Sequence, residues 1–203
     1  MTEKFSSIGL IGKHGGSGIA KTVLSLNEFL VSRGLTVLLE SKTAQHLEGH
    51  GMQTAGMHEI GENCDLAIAV GGDGTLLQSA CALAEYNVAL LGVNMGRLGF
   101  LTDISPFGMV EAVGDILDGE YIEEKRSLLE VEVAGKSFKA LNDVVIHKWN
   151  IARMIEFDTY VGGQFVNNQR SDGFIVSTPT GSTAYNLSCA GPLVHPNLNA
   201  SIL

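Results

Sequence analysis

Four short stretches combine glycine, small hydroxyl residues and isolated acids in a way that suits phosphate and sugar chemistry. The first is Gly71-Gly72-Asp73-Gly74-Thr75, directly after the apolar run 66–70. Glycines such as Gly72 and Gly74 let a backbone come close to a phosphate, and the N–H groups of a helix opening near Thr75 attract an anion. A carboxylate repels phosphate, so Asp73 implies a catalytic or metal-binding task. The competing reading is a tight strand-to-helix turn capped by Asp73. The second stretch, Asn94-Met95-Gly96-Arg97-Leu98-Gly99-Phe100, follows the next apolar run. Its asparagine and glycines again suit close backbone approach. Phe100 has the type to stack on a ring and is kept as a candidate cofactor contact, although beside Leu98 and Leu101 it reads on its own as core.

The third stretch is Asn142-Asp143, a polar pair interrupting the apolar run Leu141-Asn142-Asp143-Val144-Val145-Ile146. A buried carboxylate needs donors, and sugar hydroxyls supply them, since an ionised Asp only accepts. Neighbouring backbone groups are the alternative partner. The fourth runs from Ser171 through Asp172 and Gly173 to Ser177-Thr178-Pro179-Thr180-Gly181-Ser182-Thr183-Ala184-Tyr185. Its run of small hydroxyl, Pro and Gly residues offers N–H and O–H donors to phosphate oxygens. Tyr185 suits a base or ribose. A structural reason for so many small polar residues in a row is hard to find, so a ligand is the favoured reading.

The elements that carry these stretches alternate strand and helix through the first half. Residues 5–11 form a strand ending in Gly12, Ser17 is the expected cap of a helix carrying Ile19, Val23, Leu26 and Leu30, and Gly34 closes it. Strands follow over 35–39, 66–70 and 88–93, with helices over about 75–86 and from Pro106 to near Gly119. Residues 41–63, with four glycines and three histidines and no clean period, read as mostly loop. This order predicts an α/β N-terminal domain with a doubly wound parallel sheet, residues 1–122. From residue 123 the grammar becomes period-two. Leu129-Glu130-Val131-Glu132-Val133 precedes a turn at Ala134-Gly135, and Gly162-Gly163 marks a hairpin. Residues 123–203 are therefore expected to form a mainly antiparallel all-β C-terminal domain.

Composition bounds the partners. The chain has 203 residues, 45% hydrophobic and 17% charged, with a formal net charge of −9. That is globular composition, and the acidity argues against a nucleic-acid partner. No membrane segment or signal peptide is read, and three widely spaced cysteines, Cys64, Cys81 and Cys189, read as reduced, mostly buried thiols of a cytoplasmic protein. His46, Glu48, His50 and His58 lie close in sequence, but glycines interrupt them and their spacing is no zinc signature, so no metal ligand is assigned. His147 and His195 read as structural.

In identity and order the four stretches resemble the bacterial ATP-dependent NAD kinase family, well over residues 65–195 and loosely before that. The glycine-rich loop alone is shared with lipid kinases and phosphofructokinases; the Ser177–Tyr185 run is far more restrictive. The resemblance implies that ATP, with Mg²⁺ or another divalent metal, phosphorylates the adenosine-ribose 2′-hydroxyl of NAD. It puts the role of base on Asp73 and NAD binding on Asn142 and Asp143, where many family members have Glu at the second position. Arg153, Arg170 and Asp172 resemble further NAD contacts, and Thr183, Ala184, Tyr185 and Ser188 would line the same molecule. Homodimers or homotetramers are implied too. The family runs on for several more β segments, so the β-rich half is expected to be incomplete and an inactive truncated form is one alternative. Lipid or sugar kinases of the same loop type are another.

The rival from the residues themselves is a P-loop ATPase at Gly15-Gly16-Ser17-Gly18-Ile19-Ala20-Lys21-Thr22. That motif needs Gly immediately before Lys-Thr, and Ala20 stands there. Lys21→Ala separates the two: a P-loop enzyme would lose all nucleotide hydrolysis, whereas a kinase of the type above should keep turnover within about a few-fold, because a solvated surface lysine contributes little.

Overall fold

The computed structural model describes residues 5–13, 15, 18–96, 99–102, 104–150 and 152–203. Contacts divide the chain into two compact units, Met1–Glu123 and Glu124–Leu203.

The first unit runs β1 (Ser7–Gly12), α1 (Ile19–Ser32), β2 (Thr36–Glu40), α2 (Ser41–Ala44), β3 (Thr54–Ala55), α3 (Met57–Asn63), β4 (Leu66–Gly71), α4 (Asp73–Leu83), β5 (Ala89–Asn94) and α5 (Met109–Leu117). The five strands pair in parallel in the order β3-β2-β1-β4-β5. Helices cover both faces, which is why β4 is buried along its whole length and reads as an unbroken apolar run. Ile8, Leu10, Ile68 and Val70 meet Val23, Leu26 and Leu30 of α1 and Val113 of α5 on one face. Ile11, Leu38 and Ala67 meet Ile60 and Leu83 of α3 and α4 on the other. The doubly wound expectation holds.

Several boundaries move, each for a local reason. The segment 41–63 is not mostly loop. Glu40, at the end of β2, accepts bonds from Lys42 N, Thr43 N and Thr43 Oγ1 and so caps α2, and Glu59 accepts from Gly56 N at the start of α3. These elements have four, two and seven residues, too short for any period to show. Helix α4 starts at Asp73 rather than Thr75 and stops before Tyr86, whose ring lies against the α3 backbone where a Cβ on Gly61 would stand. Helix α5 opens after Gly108, at φ 84°, not at Pro106. The cap expected at Ser17 falls outside the described residues; Gly18, at φ 86°, holds the cap position of α1.

The second unit consists of antiparallel pairs. β6 (Leu129–Val133) pairs with β7 (Lys136–Ala140), β8 (Asp143–His147) with β11 (Gly173–Ser177), and β9 (Ile155–Val161) with β10 (Gln164–Ser171). Both tight hairpins turn through consecutive positive φ values, 50° and 72° at Ala134-Gly135 and 58° and 78° at Gly162-Gly163. That geometry matches the twist of the flanking strands. A 3₁₀ turn (Thr180–Thr183) and α6 (Tyr185–Ser188) follow, and Ile202 bridges back to Ser177. Cys64 is buried and Cys81 half-buried, but Cys189 is exposed. The expectation of mostly buried thiols fails there because Cys189 ends a four-residue surface helix. No helix among the described residues is long and apolar enough to cross a membrane.

Asp65 fastens the entry of β1 to β4. It accepts from Ser6 Oγ at 2.7 Å, Ser6 N at 2.8 Å and Ser7 N at 3.0 Å. The Ser6 hydroxyl, then the Ser6 amide, hold its carboxyl below the usual carboxylate value. The stabilisation is therefore present above an unfolded-state pKa of about 3.9 and is lost as pH falls through the lower folded value. Asp65→Asn should lower unfolding free energy at pH 7 by about 1 kcal/mol, a figure already reduced for exposure. The gap from wild type should close as pH falls below about 4; denaturant melts at pH 7 and pH 3 check it.

Candidate functional site

The order of the first sheet reverses between β1 and β4, so the crevice beyond their carboxyl ends is where ligands bind in folds of this kind. Lys13 N donates to Val70 O at 2.9 Å and keeps the two strand ends together. The loop after β4 carries glycines of two kinds. A Cβ on Gly71 would fall on the Thr75 hydroxyl, so this position is glycine for internal packing. Gly72 and Gly74 have nothing within 4 Å of where a Cβ would stand. They face open space, as a backbone receiving a ligand should. Thr75 N already donates to Gly72 O at 2.9 Å, which takes that amide out of the expected donor set.

Asp73 occupies the first residue of α4, half-buried. Its Oδ2 accepts from Phe100 N at 2.9 Å, and its Oδ1 from Leu101 N at 3.3 Å and Thr102 Oγ1 at 3.1 Å. The carboxylate lies where a Cβ of Gly99 would be, so any larger residue there would displace it. An ionised carboxylate has about four lone-pair directions. Two donors meet Oδ1 and one meets Oδ2, leaving Oδ2 the better placed to accept a proton. Asn94 is buried, and its Oδ1 accepts from Gly96 N at 2.9 Å. Phe100 is 72% exposed, so its reading as core was wrong: the backbone bond to Asp73 turns residue 100 outward. Arg97 and Leu98 lie outside the described residues. Lys21 projects to solvent from the first turn of α1. His50 Nδ1 accepts from Met52 N, and His58 meets the Tyr86 hydroxyl.

The second unit gathers Asn142, Asp143 and the turn around residues 178–185. The Asn142 carbonyl accepts from Thr178 N at 2.8 Å and Thr178 Oγ1 at 3.1 Å, while Gly181 N donates to Thr178 Oγ1 at 3.0 Å. Ser182 Oγ donates to Val194 O and accepts from Val194 N, and Asn186 Nδ2 holds Ser182 O and Pro192 O. These hydroxyls therefore have a structural reason after all, contrary to the expectation from sequence. Ser177, Thr178 and Ser182 lock the turn onto β8 and the segment near residue 194.

What remains for a ligand is a smaller set. Asn142 Oδ1 is buried and has no hydrogen-bond partner among the described residues. Burial pushes the Asp143 carboxyl above its usual value, and a bond from the Tyr185 amide offsets this only in part. Thr183 and Ala184 are half-buried and Tyr185 is exposed on one side. A buried acceptor beside a poorly solvated carboxylate suits the donors of a sugar or amide.

Arg153, Arg170 and Asp172 do not join this group within the unit. Asp143 pairs with Ser177 at one end of the β8–β11 ladder, whereas Asp172 lies past Gly173 at the other, about 15 Å away along the strand. Ile155 faces Ser171, which puts Arg153 and Arg170 at that same far end. Asp172 is held by Lys148 Nζ at 2.6 Å, Arg153 and Arg170 are exposed, and Ser188 ends α6 on the surface. His147 Nδ1 meets the Lys148 carbonyl, and His195 Nδ1 accepts from Asn197 N. Sequence reasoning missed Thr102, the side-chain donor to Asp73, and Arg126, which donates to Thr180 Oγ1 at 3.4 Å and pairs with Glu124. A threonine beside a loop and an arginine in an acidic run carry no signal of those contacts.

Comparison with known proteins finds two family models. Residues 8–121 match the family model of the ATP-NAD kinase N-terminal domain and residues 141–203 that of the ATP-NAD kinase C-terminal domain. The chain is 51% identical to NAD kinases of Pseudomonas entomophila (strain L48) and Hahella chejuensis (strain KCTC 2396), over 99% of its own length and 70% of theirs. Its fold is similar to that of yeast NADH kinase complexed with NADH, at TM-score 0.84 and 23% identity over 98% of this chain and 65% of that one. An NAD kinase from Archaeoglobus fulgidus in complex with ATP is similar at TM-score 0.75 and 28% identity, over 97% and 70%.

Within the second unit, a methyl added by Gly181→Ala would fall on the Asn142 backbone oxygen. Neither backbone can swing aside as a side chain would, so overpacking should cost about 1–3 kcal/mol. A thermal melt should show a fall of at least roughly 2 °C; an unchanged melting temperature would mean the turn is not packed on this strand.

Proposed function

The chain belongs to the ATP-NAD kinase family, and from that premise we propose that it phosphorylates NAD on the adenosine-ribose 2′-hydroxyl, with ATP as donor, giving NADP and ADP. The observation that carries the reading beyond family membership is Asp73. A carboxylate in a phosphate-type loop is costly unless it has work to do, and here it is half-buried just past the carboxyl end of β4, with Oδ2 accepting a single bond, from Phe100 N.

In the step we propose, Asp73 Oδ2 takes the 2′-hydroxyl proton as O2′ bonds to the γ-phosphorus. The bond from that phosphorus to the β–γ bridging oxygen breaks, and ADP leaves with the electron pair. Phosphoryl transfer of this kind needs alignment and charge neutralisation more than covalent help. The open backbone at Gly72 and Gly74 can come against phosphate oxygens. Mg²⁺ or another divalent metal bound with ATP would offset the negative charge of the phosphates.

Asn142 Oδ1 and Asp143 are proposed to accept bonds from NAD, which would give the buried amide oxygen its partner and offset the burial of the carboxylate. Thr183, Ala184 and Tyr185 would line the same molecule. Arg153, Arg170, Asp172 and Ser188 remain proposals by resemblance alone. So do a cytoplasmic location and a homodimer or homotetramer; exposed Tyr160, Phe165 and Val166 on the β9–β10 hairpin suit an assembly.

The test is NADP formation from NAD, ATP and Mg²⁺, with diacylglycerol and a sugar phosphate as matched acceptors. NAD should be the substrate used. Asp73→Asn should lower kcat by about 10²-fold or more, the usual range for loss of a general base, with KM for NAD nearly unchanged. Near-normal turnover would remove Asp73 from the role.

A further inference from the structure

The segment 99–102 forms a socket around the Asp73 carboxylate. Gly99 leaves the space the carboxylate fills, Phe100 and Leu101 donate backbone N–H groups, and Thr102 contributes the side-chain hydroxyl. Thr102 is fully buried. Its methyl fills the room left by Gly92 of β5, where a Cβ would come within 2.5 Å of it. Just beyond, Asn94 N donates to Ile104 O at 2.7 Å, and Val93 bridges Ile104 in parallel register. The socket is thus riveted to β5, and β5 is paired along its length with β4, whose end carries Asp73.

One side chain in this arrangement has two separable jobs. The methyl packs against β5; the hydroxyl points the other way, to Oδ1. From this geometry we infer that Thr102 is a positioning residue for the phosphoryl transfer, its hydroxyl holding Oδ1 so that Oδ2 faces the acceptor hydroxyl. The inference rests on the reading of Asp73 as the base. Without the Thr102 bond, Oδ1 keeps only the longer 3.3 Å contact from Leu101 N, and the carboxylate is free to rotate away from the line of attack. A misplacement of that kind acts on the chemical step rather than on substrate binding.

Three substitutions separate the jobs. Thr102→Val keeps the methyl and removes the hydroxyl. Thr102→Ser keeps the hydroxyl and removes the methyl, and Thr102→Ala removes both. For Thr102→Val, kcat should fall about tenfold or more, the effect of losing one hydrogen bond to a charged group, with KM for NAD and for ATP within about twofold. Thr102→Ser should melt at a lower temperature because Gly92 loses its packing partner, yet keep kcat within about threefold. A purely structural residue gives the opposite order, with activity following stability. If Thr102→Val does not fold, the Ser and Ala variants, both without the methyl, carry the same comparison, and Ser should be the more active by about tenfold. Equal kcat in that pair, or wild-type kcat in Thr102→Val, overturns the inference. Asp73→Asn measured alongside tells the two ideas apart. Collapsed turnover there with an unaffected Thr102→Val sinks the positioning role alone, and near-normal turnover in Asp73→Asn sinks both.

Discussion

A half-buried carboxylate has to be held by donors, and in this molecule the three bonds from Phe100, Leu101 and Thr102 to Asp73 do so. The rest of the first unit can be understood as what keeps both partners of those bonds in place. Asp73 is the first residue of α4, fixed by the end of β4, and residues 99–102 are fixed by β5. The parallel β4–β5 register therefore sets the distance across which the bonds form. Helices on both faces keep β4 and the last three residues of β5 buried, and a buried ladder does not slip easily, because a slip of one residue would turn each buried side chain to the other face.

The second unit meets a different constraint. Its candidate site is built from a turn that would be floppy in isolation, being rich in Ser, Thr and Gly. The fold stiffens it by satisfying most of its polar groups internally. Thr178 reaches back to Leu141 and Asn142, and Ser182 exchanges bonds with Val194. Asn142 takes part with its carbonyl while its side-chain oxygen stays without a partner. The same residue thus anchors the turn with its carbonyl and leaves its side-chain acceptor unsatisfied among the described residues.

Much of this architecture was legible from residue order, and the failures have physical causes. Four strands of the parallel sheet followed from apolar runs, as at residues 66–71, where burial on both faces leaves no other composition available, whereas the fifth, β3, did not. The hairpins followed from Ala134-Gly135 and Gly162-Gly163. The segment 41–63 was not legible, because elements of two to seven residues are capped by side chains, Glu40 and Glu59, rather than announced by a period. The incongruity of Asp73 among glycines was readable. Its partners were not, since two are backbone amides, which every sequence possesses, and the third is a threonine with nothing unusual around it. The hydroxyl-rich run was misread in emphasis for the reverse reason. Composition shows how many donors are present, whereas only coordinates show how many are already bonded.

The β9–β10 hairpin lies between β8 and β11 in the chain, and its two ends, Ile155 and Ser171, face one another across the ladder. It behaves as a closed excursion whose entrance and exit coincide. Residues gained or lost at its tip, around Gly162-Gly163, leave the pairing of Asp143 with Ser177 where it is. Among relatives, length variation should therefore be tolerated at this tip, while a single insertion between Asn142 and His147 would shift the whole strand by half a pleat. The fold separates a region open to evolutionary drift from one whose length is fixed.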